Sequence, residues 1–152
     1  MRYTRAEMLR KTTAEFEALE RLVARLGADE WKRPVPRPES RDPWTVKDAL
    51  VHIVHWKHLT ARRLQGLGRP PEQRRMSITD LNHAVWEHWR ARPAEEVLAW
   101  HRNVHREVLS ALESKPEAWF TGRERGPDWL GDLHSHSAAH RRRDIEAALR
   151  DR

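Results

Sequence analysis

The residue type that invites a chemical reading is histidine, present 10 times in 152 residues and repeated at helical spacing. Neutral imidazole binds divalent metals and moves protons near pH 7. His136 and His140 stand four apart, so on a helix they share a face about one turn apart and can aim two nitrogens at one point. His101 and His105 have the same spacing, but Arg102, Arg106 and Glu107 around them read as a wet surface. A zinc-type centre takes about three such nitrogens and keeps a position open for water or substrate. His52, on the flank that its own helix shares with Trp56, can complete a set of His52, His136 and His140 between two neighbouring helices. Asp144, four residues after His140, can orient that imidazole or pair with an arginine of its own helix. Spacing alone is also met by polar histidines along a helix edge, the commoner use of such a pair.

Other chemistries have less to stand on. The chain has no cysteine, which excludes disulfides, thiolate catalysis and Cys-ligated zinc. Ser137 lies within a turn of His136 and His140, but a helical serine has no oxyanion partner in view. There is no nucleophile elbow, P-loop or dinucleotide fingerprint. Trp56 and Trp89 are candidate walls for a pocket, because indole gives an aromatic ligand a flat apolar contact. The formal charge is +6, from 29 Lys and Arg against 23 Asp and Glu, with an isoelectric point near 10.4. That balance raises nucleic acid as a partner. The basic residues are spread along the chain, however, and Arg141-Arg142-Arg143 reads as a solvated run in the last helix, so the expectation is salt-sensitive, sequence-blind binding at most. No run near 18 apolar residues occurs, which argues against a membrane span and makes the cytoplasm the default location.

The elements that must position these groups are helices. With 38% hydrophobic and 34% charged residues the chain suits slim amphipathic helices, and its eight Trp argue against disorder. Thr4-Arg5-Ala6-Glu7 forms a capping box, after which Met8, Thr12, Phe16, Leu19, Val23 and Leu26 recur every three or four residues. Four prolines within 28–43 force an extended connection. Thr45 and Asp48 open a second helix, with Val46, Leu50, Ile53 and Trp56 on its inner stripe. The pattern predicts long helices near 4–26, 45–66, 94–114 and 129–150, a short one around 79–91, and loops at 69–77 and 121–127, with Asp128 as the last N-cap. Val46, Leu50, Ile53, Leu98, Val108, Leu130 and Leu133 are the expected core. No alternating strand pattern appears, so the fold class is all-α, one domain over 1–152 with the pattern of a helical bundle.

Three segments carry a resemblance. "DPWTVKDALVHIVHWKHLTARRLQGLG", "ITDLNHAVWEHWRARPAEEVLAWHRNVHREVLSALE" and "LHSHSAAHRRRDIEAAL" resemble, in order, helix two, the Leu-Asn segment with the following helix, and the last helix of DinB-like proteins of the ClbS/DfsB branch. The resemblance implies an up-and-down four-helix bundle with a pocket among the helices. In the wider superfamily it also implies a divalent metal, zinc or nickel, on three histidines that match His52, His136 and His140. The branch takes its name from a self-resistance protein that opens the electrophilic ring of a genotoxin; other members of the superfamily use a low-molecular-weight thiol. By that resemblance the chain is a small-molecule hydrolase or resistance protein, with His140 as general base or as metal ligand. The alternatives are a metal-dependent thiol S-transferase, or a non-catalytic protein binding a small molecule or nucleic acid. Bundle faces of this kind often pair, which leaves a homodimer open.

Overall fold

A computed structural model describes residues 3–121 and 128–150 of the chain. The elements run α1 (Arg5–Val23), α2 (Ala28–Trp31), α3 (Val46–Leu64), α4 (Ile78–Trp89), α5 (Ala94–Glu113), α6 (Glu117–Thr121), α7 (Ser135–His140) and α8 (Ala147–Arg150). A π-helical turn, Arg141–Glu146, joins α7 and α8 into one rod. Among the described residues there is no strand, and the β-type pairing is an isolated bridge between Pro34 and Thr45.

The helix starts follow the side chains. Thr4 Oγ1 accepts the Glu7 amide at 3.0 Å, and Thr45 and Asp48 cap α3 reciprocally, satisfying amides the first turn leaves free. At the end of α3, Gly66 takes φ +78° while Gly66 N and Leu67 N donate to Arg63 O and Arg62 O. That pair of bonds is the Schellman stop that a left-handed glycine permits.

Helix α3 is the axis of the molecule. It packs on α4, α5 and the last helix, and Val46, Ala49, Leu50, Ile53, Val54 and Ala61 are fully buried. A helix enclosed on nearly every side buries polar residues as well as its apolar stripe, so His52, His55, Lys57 and Thr60 are inside too.

Three expectations change. Residues 28–31 of the proline-rich connection form the helical turn α2, which begins at Ala28 just after Gly27, and only the stretch beyond Trp31 is extended. That strap is pinned by Val35 N to Trp44 O and Val46 N to Arg33 O. The last helix does not start at 129: Asp128–Leu133 is a 3-10 helix, and His134, at φ −138° and ψ −62°, breaks it from α7. Leu98 is half-buried rather than core, because a cleft opens beside it. Helix α6 had no clear periodic signal in its five residues. Residues 122–127, most of the expected loop, and the Asp128 side chain lie outside the described residues.

Candidate metal centre

Two helices deliver the three histidines. His52 sits on the second turn of α3, and His136 and His140 lie one turn apart on α7. The ring centroids are 5.2 Å (His52–His136), 4.4 Å (His52–His140) and 4.5 Å (His136–His140) apart. One nitrogen from each ring lies within 4.8 Å of the others. Asp144 Oδ2 is 2.7 Å from His140 Nδ1, which fixes that ring with Nε2 as its free nitrogen. The carboxylate is buried, and Arg37 reaches it from the strap at 3.4 Å. Arg37 also lies 4.4 Å above Trp44, and Trp44 packs against His52 at 4.8 Å.

These residues fit a divalent ion. Three neutral imidazoles are a nitrogen donor set suited to zinc, nickel and related metals. Burial, then the nearby His140, His136 and Arg37, hold His52 well below its ordinary 6.5. Burial, then His140, Lys57 and Arg37, bring His136 to about 4, with Asp144 pulling the other way. Both rings are therefore uncharged at pH 7, with lone pairs free. His136 Nδ1 is buried with no hydrogen-bond partner among the described residues, an orphan of the kind a ligated or bridged atom would leave.

A cleft of about 260 Å³, walled by Trp56, Thr60, Trp129 and Asp132, lies further along α3; none of the three histidines lines it, and Trp56 is the side chain that links it to them. Trp56 lies 6.3 Å from His52 and is anchored by Nε1–H donating to Asn82 Oδ1. Asp132, raised above its ordinary value mainly by burial, faces Thr60 Oγ1 at 3.4 Å. Trp89 is elsewhere: it stacks on Trp100 at 4.4 Å. Trp86 is the helix-α4 indole that lines the small cavity beside His52.

The interior behind His136 departs from the sequence reading. Arg141 is not a solvated residue: its Nε and Nη2 grip Glu15 at 2.8 and 3.0 Å, and Nη1 holds Glu146 at 2.7 Å. The wide π turn lets Arg141, Asp144 and Ile145 all point inward from one segment. His101 and His105 are not on a wet face either. His101 is buried at 2% exposure, and both rings stack on Phe16, at 4.7 and 3.7 Å. Lys57 is buried beside Glu15, with burial lowering its pKa to about 8.

Sequence reasoning missed Trp44, Arg37 and Lys57. Trp44 directly precedes the Thr45 cap and so had a positional signal; Arg37 lies in a proline-rich run with none. Lys57 stands five residues after His52, off the apolar stripe, and only packing on all sides of α3 reveals its burial.

An all-α bundle with a three-histidine cluster between its second long helix and its last defines a DinB-like protein. The model of the mycothiol maleylpyruvate isomerase N-terminal domain matches residues 12–145, and the chain belongs to that family. Two solved structures share the fold. One is an uncharacterised protein from Escherichia coli UTI89, at TM-score 0.71 and 16% identity over 97% of this chain and 90% of that one. The other is the colibactin self-resistance protein ClbS in complex with a dsDNA, at TM-score 0.65 and 12% identity over 97% and 92%. No curated protein sequence matches the chain. No helix among the described residues is long and apolar enough to cross a membrane.

Proposed function

We propose that the chain is an enzyme of the ClbS/DfsB type that adds water to a small electrophile at a divalent metal held by His52, His136 and His140. The observation that supports it is the convergence of three imidazoles between two helices, with Asp144 holding one of them in a fixed orientation. Such a metal would supply Lewis acidity, lowering the pKa of an attacking water or thiol.

The chain's own residues supply the rest. Trp56 and Trp129 offer flat apolar walls to the electrophile, and Trp56 links their cleft to His52. Asp144 accepts the Nδ1–H of His140, so in the neutral ring Nε2 carries the free lone pair. In a metal-free protein that nitrogen would take the proton of the attacking water while oxygen bonds to carbon and the strained ring or leaving-group bond breaks. Trp89, bound up with Trp100, would act on this site only from a distance.

A second reading replaces water with a low-molecular-weight thiol, and the family match supports it, since that family is named for a mycothiol-dependent isomerase. ClbS was crystallised with dsDNA, but the likeness to it shows the fold alone. Here Arg141 is spent on Glu15 and Glu146, so we expect DNA binding that is weak, salt-sensitive and blind to sequence. A cytoplasmic location and a homodimer remain part of the proposal.

The test is elemental analysis of tag-free protein beside a His136→Ala/His140→Ala variant, with turnover of an epoxide and an activated aryl halide measured with and without added thiol. The expected result is near-stoichiometric metal that the variant loses, and turnover without thiol. Turnover only with thiol transfers the proposal to the second reading. Metal-free active protein that loses activity in His140→Ala leaves His140 as base, and native protein inert to every electrophile sinks the enzyme reading.

A further inference from the structure

A cavity larger than the one beside Trp56 and Trp129 lies elsewhere in the molecule. It holds about 780 Å³ and sits where α3 and α5 begin and α4 ends. Its size is in the range of sites that take drug-sized ligands. The apolar surfaces come from Trp31, Trp86, Leu26 and Leu98. Leu26 and Leu98 fall on the inward stripes of their segments, yet both stay half-buried because nothing fills the space between them.

The cleft is held open by a specific device. Lys47 Nζ donates to the carbonyls of Trp89, Arg90 and Arg92, at and just past the end of α4. One ammonium thereby fixes the α4–α5 corner at a set distance from α3, and the α5 N-terminus opens there with Pro93 and no side-chain cap. Lys47 is committed, and so is Asp48, which accepts from Thr45. The rim cations with no carboxylate partner among the described residues are Lys32 and Arg90, both exposed, while Arg92 pairs with Glu96 and the one acid left on the rim is Glu95. Arg90 already lies 4.9 Å above the Trp86 ring, so the aromatic face that a cationic ligand would use is occupied. Trp86 Nε1–H is without an acceptor among the described residues.

Two indoles, an aliphatic floor and a net positive rim define a ligand by complementarity. We propose that this cleft is a second binding site, separate from the histidine centre, for a flat apolar anion: an aromatic body carrying one carboxylate or sulfonate. The anion meets Lys32, Arg90 and the amides at the start of α5, and the ring system lies between Trp31 and Leu98. Trp86 and Asp48 also border the small cavity beside His52, so an occupant sits one side chain from the metal centre without touching it.

The probe is 8-anilinonaphthalene-1-sulfonate, titrated into native protein with the indole N–H resonances followed by NMR and the neutral N-phenyl-1-naphthylamine run in parallel. Expected are saturable one-site binding and shifts at Trp31 and Trp86 with Trp56 and Trp129 unmoved. The sulfonate should lose about tenfold in affinity in Lys32→Ala/Arg90→Ala, the worth of one charge-assisted hydrogen bond, while the neutral probe does not. Leu98→Trp and the exposed-corner Ala91→Trp should each block binding, the second serving if the first fails to fold. His136→Ala/His140→Ala should leave binding unchanged, which separates this site from the metal reading. The proposal is overturned by shifts confined to Trp56 and Trp129, by equal affinity for the neutral probe, by indifference to Ala91→Trp, or by a change of oligomeric state in Ala91→Trp that marks the cleft as a self-association surface.

Discussion

Asp144 does two jobs with one carboxylate. It accepts the His140 Nδ1 proton at 2.7 Å and anchors Arg37, the residue that closes the strap over Trp44. Removing it frees the ring to rotate and lowers its basicity as a ligand. In Asp144→Ala, zinc affinity measured against a chelating dye should drop about 10–100-fold, the usual effect of losing such a partner; a change under twofold would show that the contact is incidental. Unperturbed imidazoles would lose metal as pH falls through about 6–7. Burial shifts that window for two of the three ligands: His136 titrates at about 4 and His52 well below 6.5. Proton competition at these two rings should therefore set in only below pH 6, toward 4. Loss of metal already complete at pH 6 would contradict the burial of both rings.

At the scale of elements, α3 carries the structure and the chemistry together. Leu50 lies fully buried two residues before His52, and Leu133 is fully buried at the end of the 3-10 helix that leads into His136. Truncating either leaves a cavity that close-packed neighbours fill only in part. Leu50→Ala and Leu133→Ala should each cost about 2–5 kcal/mol in urea unfolding. Midpoints within a few tenths of a kcal/mol of wild type would mean that these faces are not packed as described. The π turn has a similar double role, since an α-helical register would not bring Arg141 to Glu15 while keeping Asp144 on His140 and Ile145 in the core.

The whole molecule stores neutral histidine in its interior, and this ties stability to pH. Burial, then Lys57, His105 and Arg102, bring His101 to about 3. Glu20 Oε2 is 3.3 Å from His101 Nε2 but makes no hydrogen bond with it, so burial decides. Burial, then His58 and Arg69, bring His55 to about 4. Unfolded, both titrate near 6.5, so below that pH the unfolded chain binds more protons than the folded one. Their contribution is complete above about pH 6.5 and is lost as pH falls toward 4 and 3. Urea midpoints should fall steadily from pH 6.5 to 4, and less steeply in His101→Leu; a flat profile over that range would refute the assignment. Lys57 acts at the other end. Its folded pKa of about 8 lies below the ordinary 10.5, so its charge weighs against the fold at neutral pH and is relieved as pH rises through 8 toward 10.5. Lys57→Met should remove that rise, read as a flatter urea midpoint between pH 8 and 10.

The sequence by itself determined whatever is local and periodic. Thr4, Thr45 and Gly66 mark helix ends because each satisfies backbone groups within a few residues of itself, and the stripes through Met8, Leu50 and Val108 repeat with the helix turn. His136 and His140 could be paired for the same reason, since i and i+4 share a face whatever lies opposite. What faces each stripe was decided by tertiary structure alone. The stripe of α3 shows Val46, Leu50 and Ile53, but not that Lys57 and His55 would also be enclosed, because that depends on helices packed on its other sides. His101 and His105 sit among charged neighbours that point outward, while the rings turn to Phe16 on α1, far away in sequence. Arg141 belongs to a basic run and is claimed by Glu15 across the bundle, and Arg37 reaches Asp144 from an extended strap. Those contacts carry no periodicity, since they join segments whose proximity exists only once the hydrophobic core has brought the helices together.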